Sequence, residues 1–154
     1  MIMKNIKSQD GVMLLEALIG ILIFTIGILA MVAMQANAIS NVSNAQYRAE
    51  ASALADEILG QIMLDRGDDL LLTNVNQYIT STGTSAYIPL NVWLTKVKNR
   101  LPGAAANPPV ITVVTSPLTG TIGATKDVTV TIRWRAPTAT SLSLHVAAGT
   151  VSGS

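Results

Sequence analysis

The chain has 154 residues, of which 49% are hydrophobic and 12% charged, whereas an ordinary soluble domain carries about a quarter charged residues. That length holds one domain with an appendage and excludes a multidomain enzyme or a large α/β barrel. The absence of cysteine excludes a disulfide framework, a thiolate metal site and a cysteine nucleophile, and a net charge of +1 gives no general attraction for nucleic acid.

Met1 to Gly11 forms a short polar leader carrying Lys4, Lys7 and Asp10. From Val12 to Met34 the chain is apolar without proline, and Glu16 is its one charge. As a helix this segment is about 34 Å long at roughly 1.5 Å per residue, enough to cross a hydrocarbon core of about 30 Å. No later stretch is apolar for long enough to span again. The lysines of the leader hold the N-terminus in the cytoplasm, so a single span is expected, with all that follows Met34 outside. The apolar run is longer than the roughly 7–15 residues of a secretory signal and has a carboxylate near its start. Ala36-Asn37-Ala38 nevertheless has the A-x-A form of a signal peptidase site.

Beyond Met34 alanine is frequent, and no proline occurs before Pro89. Helix propensity therefore continues past the span. Ala51, Leu54, Ala55, Ile58 and Ile62 recur at three- and four-residue spacing, while Arg48, Glu50, Glu57 and Gln61 take other faces. Arg66 followed by Gly67 is a helix stop, which predicts one helix from Val12 to about Arg66, with 35–67 as its amphipathic half. Residues 68–154 form a separate head. Its first part, Asp68 to Tyr87, reads as a packed loop anchored by Leu70-Leu71-Leu72, Tyr78-Ile79 and Tyr87-Ile88. Leu90, Leu94, Val97 and Leu101, with Trp93 as an anchor, predict a short helix over 91–101 capped by Asn91 and stopped by Pro102-Gly103.

Three strands are expected to close the chain. They run over Pro109 to Thr115, Asp127 to Arg135 and Ser141 to Val146. In the second, Val128, Val130, Ile132 and Trp134 alternate with Thr129, Thr131, Arg133 and Arg135. In the third, Leu142, Leu144 and Val146 form the apolar face against Ser141, Ser143 and His145. Ala147 to Ser154 reads as a small, flexible end. A long helix covering the apolar face of a small antiparallel sheet is an α+β fold.

Gly11, then Val12-Met13-Leu14-Leu15 and Glu16 at the fifth position of an apolar helix, resembles the class III signal of type IV pilins and type II secretion pseudopilins. The continuation from Ala17 through Gly20 and Gly27 to Leu29 is most similar to minor pilins of the PilV, or pilus-modification, type. The resemblance covers the leader and the first helix. It departs from the family at Val12, where phenylalanine is usual, and at Met13, where threonine is common.

The resemblance implies the pilin architecture and a structural subunit, not an enzyme, without cofactor or metal. It implies a chain cut between Gly11 and Val12 by a prepilin peptidase that also N-methylates Val12. Glu16 would then neutralise the amine of a neighbouring Val12 in a filament, and Ala17, Gly20 and Gly27 would allow close helix packing. The implied partners are that peptidase and methyltransferase, other minor and major pilins, the inner-membrane assembly platform, and membrane lipid before assembly. The implied location is the bacterial inner membrane, with the head in the periplasm, and then the pilus. No nucleic acid is expected. Pilins commonly close their C-terminal region with a disulfide, which this chain lacks.

Chemistry elsewhere is sparse. His145 is the only histidine and is expected to be solvated on a polar strand face. Asp65, Asp68 and Asp69 offer oxygens but match no calcium loop, and Arg66-Gly67-Asp68 spells an adhesion tripeptide that a helix stop explains as well. Lys96, Lys98, Arg100, Arg133 and Arg135 read as wet faces. Three functions remain in view: a minor pilin, a type II secretion pseudopilin, and a periplasmic binding module released after Ala38.

Overall fold

The computed structural model describes residues 10–65, 73–116, 124–137 and 139–153. The described chain runs α1 (Asp10–Leu64), a short 3-10 helix (Thr73–Tyr78), α2 (Ile88–Arg100), β1 (Val110–Ser116), β2 (Thr125–Trp134) and β3 (Ser143–Ser152). One long helix and a three-stranded antiparallel sheet of order β1-β2-β3 make an α+β layout. The chain divides into two compact units, Met1–Val42 and Ser43–Ser154.

The 55 residues of α1 contain no proline and many alanines, so nothing in the backbone interrupts the hydrogen-bond ladder. The described helix already includes Asp10 and Gly11, ahead of the expected start at Val12, because helical preference does not change there. It ends at Leu64, and Asp65 donates its N–H to the Gln61 carbonyl at 2.9 Å. Arg66 and Gly67, the expected stop, lie outside the described residues, as do Asp68, Asp69 and Leu70 to Leu72.

In the first unit, the large apolar side chains from Val12 to Met34 are all exposed. The second unit has one core. Ala51, Leu54, Ala55, Ile58 and Ile62 of α1 are fully buried, as their spacing predicts, and they meet Leu90, Trp93, Leu94, Val97 and Leu101 together with Ile111, Val128, Val130, Ile132 and Trp134. Each of the leucine, isoleucine and valine side chains among these stabilises the fold by roughly 1.5–3 kcal/mol when taken from water. The Trp93 indole N–H donates to the Leu54 carbonyl at 2.9 Å, which fixes α2 on α1.

The expected 91–101 helix starts three residues earlier, at Ile88, and ends at Arg100. Tyr87 is its N-cap, and Pro89 lies in the first turn, where a missing N–H costs no hydrogen bond. Asn91 is therefore inside the helix and not its cap. Beyond the C-cap Leu101, Gly103 turns the chain at a φ of 76°. A Cβ there would stand 3.2 Å from the Arg135 nitrogen, whose N–H donates to the Pro102 carbonyl at 2.8 Å.

Two expectations about β3 are overturned. Leu142, Leu144 and Val146 are exposed, and the opposite face, from Ser143 and His145 through Ala147 and Gly149 to Val151, turns inward. The register explains this: His145 pairs with buried Ile132, Ala147 with Val130 and Gly149 with Val128. Gly149 lies under α1, where an added Cβ would stand 3.1 Å from the Met63 Cε and 3.5 Å from Leu59, a tight fit that suits a small residue at this position. The second correction concerns the tail. Ala147 to Ser152 is ordered strand paired along its length with β2, and Val151 is buried. Ile79 and Ile88, expected as anchors, are exposed, whereas Tyr78 is buried.

Candidate functional site

The residues singled out by the leader motif lie at the start of α1. Gly11 and Val12 are helical, near the beginning of the described residues. Glu16 and Ala17 are exposed, and a Cβ added at Gly20 or Gly27 would meet nothing within 4 Å. At about 100° per residue, Glu16, Gly20 and Gly27 fall within an arc of roughly 40°, with Ala17 to one side. A carboxylate and two glycines thus share one stripe of an otherwise apolar cylinder. Among the described residues this is the one helix long and apolar enough to cross a membrane, with a mean hydropathy of 2.7 over its most apolar window and none of that window buried. Thr25 does not break the apolar surface as a free hydroxyl would, because its Oγ1 donates to the Leu22 carbonyl at 2.8 Å. Ala36 to Ala38 lies within the same uninterrupted helix.

The head holds features that the sequence reading missed. The Asp65 carboxylate, just past α1, accepts hydrogen bonds from Tyr78 Oη at 2.8 Å and from Tyr87 Oη. The two rings meet edge to face with centroids 5.1 Å apart. Burial, then the bond to Asp65, hold the Tyr78 phenol well above the usual tyrosine range. The bond to Asp65 is the main cause of the upward shift at Tyr87. One carboxylate thereby ties the end of α1 to the 3-10 helix and to the N-cap of α2. Lys126 is the other surprise. It is buried on the core face of β2 and its ammonium donates to Asn76 Oδ1 at 3.0 Å. Alternation traced back from Val128 by one step would have found it.

Of the basic residues of α2, expected on a wet face, Arg100 is exposed while Lys96 and Lys98 are half-buried, and two are paired. Lys96 Nζ lies 2.6 Å from a Glu57 oxygen and Arg100 Nη1 lies 2.6 Å from Glu50, so both lace α2 to α1. Lys98 donates to the Gly83 carbonyl. His145 is half-buried on the inward face of β3, a correction to the solvated position expected for it. An open cleft of about 440 Å³ lies beside β1, lined by Ile79, Thr80, Ser81, Thr82, Val110 and Thr112 among others, with no titratable side chain. No three acidic or histidine side chains gather as a metal site among the described residues.

Comparison with known proteins adds no relative: no family model, no curated protein and no solved structure matches the chain.

Proposed function

We propose that this chain is a structural minor pilin of a type IV pilus, held in the inner membrane by the first part of α1 with its head in the periplasm, and then drawn into the filament. The observation that carries the reading is Gly11 followed by an apolar helix whose one charge, Glu16, stands at the fifth position. The continuous helix supports it, exposed and apolar in Val12–Met34 and amphipathic where it packs into an α+β head. Peptide cleavage needs an extended backbone. Gly11 carries no Cβ to obstruct such a backbone, whereas Ala38 lies deep inside α1.

The chemistry of Glu16 follows from its setting. A carboxylate taken to the bilayer centre costs roughly 2.5–3.5 kcal/mol on insertion scales. Near the membrane surface it keeps its hydration, and within a bundle of such helices it needs a cation. The amine created at Val12 by cleavage supplies one, and methylation leaves that amine charged. The partners follow from this sequence of events: a prepilin peptidase and methyltransferase, neighbouring pilins, and an assembly platform in the membrane.

The test is intact mass and N-terminal sequencing of the mature chain, together with recovery of Glu16→Ala in sheared filaments. A methylated Val12 start and a processed but unincorporated Glu16→Ala chain are expected. An Ile39 start, or normal incorporation of the variant, overturns the reading. The same leader would serve a type II secretion pseudopilin, so deletion separates the two: loss of surface pili is expected, and loss of secretion with intact pili would assign the chain to the other machine.

A further inference from the structure

One face of the sheet packs on the core and the other does not. Lys126, Val128, Val130, Ile132 and Trp134 of β2 turn inward and are buried, so Asp127, Thr129, Thr131 and Arg133 stand on the outer face. The ladder sets their neighbours. Val110 and Val146 flank Thr131, Thr112 and Ala148 flank Thr129, Val114 and Thr150 flank Asp127, and Leu144 stands beside Arg133. Val114, Leu144 and Val146 are 64%, 63% and 50% exposed, so this face is open and partly apolar. Asp127 and Arg133 are the only charges that the three strands place on it. They lie on the same strand, about 20 Å apart at roughly 3.3 Å per residue, with uncharged residues between them.

We propose that this face packs against the same face of a second copy of the chain, β2 over β2 in opposite directions. The face is its own complement, which is what selects this occupant. A two-fold axis crossing β2 at the level of Val130 brings Arg133 over the second copy's Asp127 and Asp127 over its Arg133, an isologous contact with two ion pairs. Stacked sheets stand roughly 10 Å apart, a gap that an arginine from one side and an aspartate from the other can bridge. Thr150 Oγ1 donates to Asp127 Oδ1 at 2.7 Å and so steadies the carboxylate. By the strand register, the same axis sets Leu144 over Thr150 and Val146 over Ala148, so that on β3 the larger side chains meet the smaller ones. With the strands running in the same direction, Arg133 would meet Arg133, Asp127 would meet Asp127, and Leu144 would meet Leu144.

A patch three strands wide is smaller than the roughly 800 Å² a side of a standard interface. The pair is therefore weak and separates on dilution. It involves the head alone and does not depend on the pilin reading, since Glu16→Ala leaves every group involved untouched.

Because the chain has no cysteine, the test places one at will. Full-length Thr129→Cys and Thr131→Cys chains, with different tags, are mixed in detergent at raised concentration and treated with a short bismaleimide; the proposed packing sets these two positions opposite each other. The cross-tag product is expected about tenfold above that of Thr131→Cys mixed with Ala53→Cys, which lies on the exposed side of α1, a ratio equivalent to about 1.4 kcal/mol. Val146→Lys in both chains should remove the product while the head melts as before. Arg133→Asp or Asp127→Arg in both chains should each reduce it, and the two together should restore it. Equal product at Ala53→Cys, indifference to Val146→Lys, or failure of the double charge exchange would each overturn the proposal.

Discussion

α1 is one helix built to two specifications. Between Val12 and Met34 large apolar side chains cover every side and all are exposed, while between Ser43 and Leu64 a stripe of Ala51, Leu54, Ala55, Ile58 and Ile62 is fully buried, and Met63 and Leu64 at the helix end are exposed. Backbone and propensity are the same in both, so the difference lies in the surroundings each surface requires. A helix apolar all round calls for lipid or other helices, and a striped one calls for a single packed partner. Length does not separate the two cases; the arrangement of side chains around the axis does.

The largest effects should come from damage to the buried stripe. Ile58→Ala removes a fully buried side chain opposite α2 and the sheet and should cost about 2–5 kcal/mol. Ile23→Ala, in the exposed half, should leave the melting of the head unchanged. Thermal unfolding of the full chain in detergent checks both, and equal losses at the two positions would show that the halves of α1 do not differ as described. Trp93→Ala should match Ile58→Ala, because it loses both the ring and its bond to the Leu54 carbonyl.

A charge in the exposed half reverses the ranking. Ile23→Arg should raise the cost of membrane insertion by roughly 2.5–3.5 kcal/mol while the head remains folded, whereas Ala53→Arg, on the exposed side of the striped half, should change neither. Partition of the chain between membrane and soluble fractions reads the difference. Retention of Ile23→Arg in the membrane at the parent level would remove the distinction.

The halves of α1 were readable in the sequence because they depend on local periodicity, and the same holds for Leu90, Trp93, Leu94 and Val97. β3 was not. Its face is decided by what lies above it, and the inward face carries Ala147, Gly149 and Val151 while Leu144 and Val146 are exposed; alternation states that two faces differ and does not state which one is covered. The Asp65 cluster was hidden for another reason. It joins residues 13 and 22 positions apart, with no periodic signal connecting them. Gly11, Glu16, Gly20 and Gly27 are singled out by spacing alone, since the proposal made for them lies along one helix.

Glycines sharpen the contrast at a smaller scale. Gly83 sits at a φ of 72°, and a Cβ there would come within 2.6 Å of the Pro108 Cβ. Gly83→Ala should therefore destabilise the head by at least the roughly 1–2 kcal/mol of a left-handed non-glycine residue. Gly20→Ala meets open space and should leave the head unchanged. Alkaline pH probes the same region. Tyr78 and Tyr87 have raised folded-state pKa values, so the unfolded chain gives up protons first once the pH passes about 10, the ordinary tyrosine value. Their stabilising contribution is complete below that pH and declines above it. Tyr78→Phe should flatten the decline in melting temperature, and an unchanged slope would sever the cluster from stability.

The smallest effect belongs to the ion pairs on the seam between α1 and α2. Lys96 and Glu57 are both substantially exposed, though their oxygens and nitrogen approach within 2.6 Å. Water screens the attraction, and two long side chains must be held still to keep it, so such pairs contribute about 0–1 kcal/mol. Lys96→Ala should lower the melting temperature slightly at low salt, and the difference should vanish as salt shortens the Debye length. The loss at Ile58→Ala should persist under the same salt, because burial and not charge holds the striped half of α1 in place. Salt sensitivity comparable in the two variants would mean that the seam is held by charge, and the buried stripe would then be a consequence of that contact and not its cause.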